Sequence, residues 1–269
     1  MEWGAFSSLI KSKMNESFIQ DEQKPNASSR RNGPKRSAEK QNAIAAAACH
    51  VLARNGPRLT QVADVARAAG VASGTVYLYA AEKDALTELA LLYAARFDLP
   101  APREPVRFSG ARLKKTALRA LEERLNWPIL RAAIQDGAPT PDTLAAILSE
   151  AYDLLAREHR LIALFDRCSS EIAILETLYI KGQRRAYLRD FEACLDRLAQ
   201  AGFVRRDLDM AAASRAALEM MVWMAMRRTG DPDPPACDAA AARSASIGLL
   251  LTGLTEKQHF SSVCDTGEQ

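Results

Sequence analysis

The chain has 269 residues, of which 48% are hydrophobic and 26% are charged, an ordinary composition for a globular protein with one large core or two domains. Its net charge of +3 is too small to indicate nucleic-acid binding by itself. No window approaches the roughly 18 apolar residues of a membrane span. The opening MEWGAFSSLI lacks the basic and apolar regions of a signal peptide. We therefore expect a cytoplasmic protein without a membrane partner.

The five cysteines stand singly, without a CxxC pair or the CxxC and HxxxH spacing of a zinc site. In a chain of this size, that pattern argues against a disulfide framework. We expect reduced thiols and no metal or other cofactor, while redox sensing by one cysteine stays open. The residues are Cys49, Cys168, Cys194, Cys237 and Cys264.

Residues 1–36 are rich in Ser, Asn, Gln, Pro and Gly, which predicts a disordered arm. The end of this arm and the residues just after it are basic. The basic residues are Lys24, Arg30, Arg31, Lys35, Arg36 and Lys40. Such a run is typical of a solvated tail, but ahead of a DNA-reading module it can also follow phosphates or enter a minor groove. The sequence leaves both interpretations open.

Between residues 37 and 98, apolar side chains recur with the period of helices, and polar caps and glycines punctuate them. The pattern predicts four helices. Their predicted starts are Ser37, Thr60, Ala72 and Lys83, and the first two end at Gly56 and Gly70.

The second and third of these helices meet the demands of a helix-turn-helix. The third must lie in a major groove about 12 Å wide while the second crosses the DNA backbone. Ala66 is small where the helices approach, and Gly70 tolerates the positive φ of a tight turn. Val71 and Val76 follow at the spacing that returns apolar side chains to the core. Residues 60–80 therefore form the predicted helix-turn-helix.

The outer face of the third helix carries short polar and aromatic side chains that can reach base edges and phosphates. These are Ser73, Gly74, Thr75, Tyr77 and Tyr79. Lys83, at the start of the fourth helix, adds a cation to a helix N-terminus, and Thr60 offers a hydroxyl at the start of the second. An ordinary helical hairpin with structural tyrosines is the alternative.

Residues Ala45–Leu86, and above all the run AGVASGTVYLYAAEKDAL over 69–86, resemble the DNA-binding domain of the tetracycline-repressor (TetR) family. The resemblance implies an all-α fold, with an N-terminal three-helix DNA-binding module and a larger helical domain for ligand binding and dimerisation. It implies base reading by Thr75 and Tyr77, with Ser73 and Gly74 near the groove. The phosphate contacts that it implies are Thr60, Tyr77, Tyr79 and Lys83.

Three residues depart from the family pattern. Ala72 replaces the usual capping Ser or Thr, a role that Ser73 can take over. Ala80 replaces a core aromatic, so another side chain, such as Leu78, has to pack the junction. Glu82 replaces a small polar residue and should weaken the contact with the DNA backbone slightly.

Three prolines and a glycine in residues 98–110 mark the predicted break after the module. The remaining chain reads as helical, with Thr140-Pro141 as a helix start. The predicted domains are an arm over 1–36, the DNA-binding domain over 37–98, the larger helical domain over 111–254 and a frayed tail over 255–269. The predicted helices of the larger domain are 112–125, 140–157, 160–178, 181–200, 208–228 and 236–254.

The helix around residues 216–226 is apolar on nearly all sides, which does not suit a monomer surface. One face, Leu218, Met221, Val222 and Ala225, would fill the subunit core. Together with residues 236–254, the other face predicts a two-fold four-helix interface, although a buried central helix in a monomer stays open. The predicted interface residues are Met220, Trp223, Met224 and Arg227.

Four aromatic residues among the middle helices are candidates for lining an effector pocket, and each also suits a plain core position. They are Trp127, Tyr152, Phe165 and Tyr179.

The sequence as a whole predicts a transcriptional regulator with three partners: a palindromic double-stranded DNA operator, a small-molecule effector and a second copy of the chain. By the resemblance, we expect a ligand-responsive repressor. A DNA-binding or architectural factor without a ligand is the alternative. An enzyme is disfavoured, because His50, His159 and His259 stand in no catalytic or metal-binding arrangement and there is no phosphate-binding loop.

Overall fold

A computed structural model describes residues 33–102, 104–135 and 139–255. Most of the predicted arm, together with His259, Cys264 and the tail after Thr255, lies outside the described residues. The chain divides into two compact units. The described part of the N-terminal unit is residues 33–102 and 104–126 with Glu158–Arg184, and that of the C-terminal unit is residues 127–135, 139–157 and 185–255.

The described part of the N-terminal unit consists of helices joined by turns and short connecting segments. The helices are α1 (Gly33–Leu59), α2 (Val62–Ala68), α3 (Ser73–Val76), α4 (Ala85–Ala94), α5 (Gly110–Glu123), the end of α7 (Pro141–Cys168), α8 (Ala173–Leu175) and the π-helix π1 (Glu176–Arg184). The core forms where α1 packs along α4, with Ile44, Leu52, Leu86 and Leu89 fully buried. Ile44 and Leu52 are eight residues apart and Leu86 and Leu89 are three apart, so each pair lies on one face of its helix, and the apolar stripes predicted from the sequence face each other.

Two predicted caps are wrong. α1 begins at Gly33, with Pro34 in its first turn, where a missing N–H costs nothing. Ser37 instead forms a hydrogen bond of 3.1 Å between its Oγ and the hydroxyl of Tyr79. The cap of α2 is Gln61, because the Thr60 hydroxyl is buried and donates back to the Gly56 carbonyl oxygen at 2.7 Å.

The proline-rich segment after the module lies inside the N-terminal unit. Its Val106 N–H donates to the Tyr79 carbonyl, and its carbonyl accepts from the Ala81 N–H, both at 2.8 Å. Glu82 accepts from the N–H of Phe108 at 2.7 Å. The compact units therefore do not divide at residues 98–110.

The junction at Ala80 is closed by this segment and not by Leu78. Ala80 is buried and forms an isolated β-bridge with Val106, whereas the Leu78 side chain is 65% exposed. The expectation that Leu78 packs the junction is wrong, because a segment far along the chain supplies the backbone that covers Ala80. The expected takeover of the α3 cap by Ser73 is also wrong, since Ala72 stays at the cap without a side-chain hydrogen bond.

A buried carboxylate fastens the segment to α4. Glu88 is only 4% exposed, and its two oxygens accept from the Ser109 N–H and, at 2.8 Å, from Arg112 Nε. Arg119 then lies over the Phe97 ring with its Cζ 3.9 Å from the centroid. α5 is thus fixed to the helices of the DNA-reading module.

The C-terminal unit is a second helical core. Its helices are α6 (Pro128–Gln135), the first part of α7, α9 (Arg185–Gln200), α10 (Met210–Val222), the π-helix π2 (Trp223–Arg227) and α11 (Ala239–Leu254). α10 packs on α9 and α11, around buried side chains such as Phe191, Leu195 and Met221. Thr140 caps α7 as predicted, with its hydroxyl accepting from Thr143 N–H at 3.3 Å.

One of two predicted helix breaks is present as a kink and the other is absent. The break predicted after residue 157 coincides with non-helical backbone angles at Glu158 (φ −104°, ψ 16°), across which α7 continues to Cys168. The break predicted near residue 180 is absent, because π1 leads directly into α9. Neither place holds a proline, so the chain bends or widens its helix there and does not stop.

The all-α fold class is confirmed for the described residues, in which no β-strand occurs beyond isolated bridges. Among these residues, no helix is both long enough and apolar enough to cross a membrane.

Candidate nucleic-acid interface

The helix-turn-helix has the geometry that its sequence predicts. Gly70 takes a positive φ of 66° between α2 and α3, and the Val71 N–H closes the turn on the Ala66 carbonyl at 2.9 Å. Ala66 and Val76 are buried, and Val71 is half-buried. These contacts hold α3 against α2 by its inner face and leave its outer face to solvent.

The outer face of α3 presents the predicted base-reading residues together. Ser73 and Gly74 are exposed, and Thr75 is half-buried. Tyr77, in the turn that follows, is 49% exposed. Lys83 lies two residues before α4, and its Nζ donates to the Arg58 carbonyl oxygen at 3.0 Å. Five of the seven predicted DNA contacts thus lie at the surface or half-buried.

The side chains of the other two predicted contacts, Thr60 and Tyr79, are turned inward. Tyr79 follows Val76 by three residues, so it shares the buried face of that residue, and its hydroxyl bonds Ser37. The Thr60 hydroxyl and N–H both donate to the Gly56 carbonyl oxygen. A phosphate near Thr60 would therefore meet the unbonded N–H groups that open α2, and not this hydroxyl.

Sequence reasoning missed several exposed side chains beside these residues. Arg58 and Gln61 flank the start of α2, and Arg67 lies on its outer side with an ion pair of 3.2 Å to Asp64. Leu59 and Leu78 are also largely exposed. Their place in the sequence could have indicated Arg58 and Gln61, because both border the predicted start of α2, where a phosphate contact was already expected.

Three buried cysteines, Cys49, Cys168 and Cys194, do not have the character of redox sensors. Burial raises the pKa of both Cys49 and Cys168 to about 12 and that of Cys194 to about 11. These three thiols therefore stay protonated and weakly nucleophilic at neutral pH. Among the residues that the structure describes, no group of three acidic, histidine or cysteine side chains could hold a metal ion.

The four candidate effector residues are all buried, and they belong to different units. In the N-terminal unit, Phe165 stacks on Tyr179 with ring centroids 5.0 Å apart, and the Tyr179 hydroxyl donates to Asp166 at 3.0 Å. In the C-terminal unit, Trp127 Nε1 donates to the Ile147 carbonyl at 3.3 Å, and Tyr152 to that of Met224, also at 3.3 Å.

Burial and the charge of Asp166 raise the pKa of Tyr179 well above its usual range. Its phenol is therefore a neutral donor to the carboxylate. The ring is held by both stacking and this hydrogen bond, which suits a core position as well as a pocket wall.

The predicted interface residues are only partly free. Trp223 is 38% exposed and Arg227 is also exposed, whereas Met220 and Met224 are half-buried. Met224 packs against the core of its own unit. On α11, Leu249 is 66% exposed. The exposed large apolar side chains among the described residues of this unit thus lie on π2, on α11 and, with Ile129, on α6.

An all-helical chain with a surface-exposed α3 behind a tight glycine turn defines the class of helix-turn-helix DNA-binding proteins. Residues 44–90 match the family model of the bacterial regulatory proteins of the tetR family. The family resemblance is confirmed over these residues, so the chain carries a DNA-binding domain of the tetR-family type.

Solved structures agree on the fold. The ketosteroid transcriptional regulator KstR2 of Mycobacterium tuberculosis is 18% identical, with a TM-score of 0.51 over 81% of this chain and 96% of that one. The probable transcriptional regulatory protein RHA5900 is 16% identical, with a TM-score of 0.50 over 80% of this chain and 99% of that one. No curated protein matches the chain.

Proposed function

We propose that the protein is a cytoplasmic, ligand-responsive repressor that binds a palindromic operator as a homodimer. The observation that carries the proposal is the outer face of α3, where Ser73, Gly74 and Thr75 leave room for a base edge. Since two-fold dimers present two such helices, we expect half-sites about one helical turn apart. Footprinting of an inverted repeat in neighbouring intergenic DNA tests this, and a single asymmetric footprint would contradict it.

Within this interface we assign base reading to Thr75 and Tyr77, and phosphate anchoring to Lys83, Tyr77 and the backbone that opens α2. The side chains of Thr60 and Tyr79 support the interface from inside. They order the turn before α2 and the segment after α3. Base contacts specify sequence, whereas phosphate contacts position the protein on any duplex.

Thr75→Ala is expected to cost about 1–3 kcal/mol on the operator and to leave non-specific binding nearly unchanged. Lys83→Ala should weaken binding to all duplexes alike and flatten the salt dependence, because it removes a phosphate contact. Fluorescence anisotropy on operator and scrambled duplexes at several salt concentrations measures both effects. Lys181→Ala, on the exposed lysine of π1, is the control for charge. Equal losses on both duplexes for both variants would refute the division of roles.

The effector is proposed to bind within one of the two units, among those helices of 112–200 that surround Phe165 and Tyr179 or, in the other unit, those that surround Trp127 and Tyr152. Measuring the melting temperature of the protein with each compound of a metabolite panel should identify those that stabilise the fold by mass action. A compound that releases the operator must itself bind less tightly, by the same factor, when the operator is saturating. Calorimetric titration with and without operator duplex measures this factor. Equal affinities, or a panel without hits, would favour the DNA-binding factor without a ligand.

A further inference from the structure

α1 has a kink at Gly56, and the chain from this kink to the start of α2, here called the α1–α2 turn, is bracketed by two side chains from a distant part of the same unit. Arg167 Nη2 donates to the Asn55 carbonyl oxygen at 2.6 Å. The Arg58 N–H donates to Glu171 Oε2, also at 2.6 Å. The two side chains also form an ion pair with each other, with Arg167 Nη1 3.1 Å from Glu171 Oε1. We call this pair of residues the bracket.

The bracket matches the chemistry of the turn. Asn55 carries one of the last carbonyls of α1 before Gly56 leaves helical geometry, and a guanidinium there suits the negative end of a helix dipole. The Arg58 N–H finds its acceptor in Glu171, as a charge-assisted hydrogen bond. One ion pair thus holds both sides of the turn.

Gly56 makes room for this pair. Its φ of 78° and ψ of 166° fall in a region that is essentially restricted to glycine. A Cβ added to Gly56 would lie 2.6 Å from Arg167 Cζ and from Glu171 Oε1. The turn and the ion pair therefore fit together only when residue 56 has no side chain.

The bracketed turn leads directly into the proposed interface. Lys83 Nζ donates to the Arg58 carbonyl, while Glu171 accepts from the N–H of the same residue. Three residues after Arg58, Gln61 caps α2, whose first N–H groups we assign to a phosphate. A displacement of Arg58 would move both the start of α2 and the partner of Lys83.

We propose that Arg167 and Glu171 are positioning residues for DNA binding, which hold the α1–α2 turn so that the start of α2 and Lys83 meet the DNA backbone together. The inference rests on the proposed function. Both side chains are partly exposed, and such ion pairs contribute little to stability. Their effect therefore lies in the position of the turn more than in the stability of the fold.

The test combines a measurement without DNA and one with it. In Glu171→Ala, hydrogen exchange at the Arg58 amide should rise about tenfold or more, since the amide loses its acceptor. Operator affinity should fall about tenfold at a temperature where circular dichroism shows a folded protein. The salt dependence should become shallower by about one phosphate contact per subunit. Lys181→Ala, which removes another ion pair of the same segment, should change none of these.

Conservative variants separate positioning from general damage. Glu171→Gln keeps an acceptor for Arg58 but loses the ion pair, so it should retain part of the protection and part of the affinity. Arg167→Lys loses the two-pronged donor and should resemble Glu171→Gln. If exchange rises while operator affinity and salt slope stay unchanged, or if exchange does not rise, the proposal is wrong. Failure of the wild-type protein to bind any duplex would instead overturn the proposed function, and this inference with it.

Discussion

Leu249→Glu is expected to yield a folded monomer that no longer binds the operator at concentrations where the wild-type protein saturates it. The Leu249 side chain is 66% exposed on α11, so its replacement costs the subunit fold little. In a two-fold interface each substitution occurs twice, so dimerisation would bury two carboxylates that have no partner. The cost of removing these charges from water disfavours the dimer.

The loss of affinity should be large because a dimer engages two half-sites at once. The second contact is then intramolecular, and avidity of this kind is typically worth about 100- to 10,000-fold. We expect operator affinity to fall by about 100-fold or more. Sedimentation equilibrium measures the monomer, and anisotropy with full and half operator duplexes measures the affinity.

The matched control is Leu118→Glu, on the exposed face of α5 in the N-terminal unit. It introduces the same charge at another exposed leucine and should leave both dimer and binding intact. A Leu249→Glu protein that remains dimeric would show that α11 is not the interface. A monomer with full operator affinity would show that the proposed mode of binding is wrong.

Gly56→Ala should destabilise the protein by about 2–3 kcal/mol, and more than Gly70→Ala. Both glycines have positive φ, 78° and 66°, where an alanine costs roughly 1–2 kcal/mol, and the ψ of 166° places Gly56 in a region that is essentially restricted to glycine. Around Gly70 a Cβ meets nothing within 4 Å, whereas at Gly56 it meets the ends of the Arg167 and Glu171 side chains at 2.6 Å, which then have to move. The difference between the variants therefore reports the backbone strain at Gly56 together with the displacement of the bracket.

Urea denaturation followed by circular dichroism measures both variants against the wild-type protein. The double variant Gly56→Ala with Glu171→Ala should recover part of the loss, because it removes one of the two groups that the new Cβ meets. Equal destabilisation by Gly56→Ala and Gly70→Ala would mean that strain in the backbone alone sets the cost at both positions.

The helix-turn-helix could be predicted from the sequence alone. Gly70 and Val76 act through local geometry, a turn of positive φ and an apolar side chain one turn further on, and such short-range constraints are visible in any window of a dozen residues. The exposure of Ser73, Gly74 and Tyr77 followed from the same periodicity. The family motif, AGVASGTVYLYAAEKDAL, lies wholly within this stretch.

The polar groups that support the interface from inside could not be predicted in this way, because their partners are set by the packing of distant helices. Ser37 forms a hydrogen bond with the hydroxyl of Tyr79, and Glu82 accepts one from the N–H of Phe108. Arg58 and Glu171 are 113 residues apart. Hydrogen bonds over such distances depend on how helices pack and leave no periodic trace in the sequence. From the sequence alone, a buried polar residue whose hydrogen-bond partner is distant in the chain therefore cannot be distinguished from one that faces solvent or DNA.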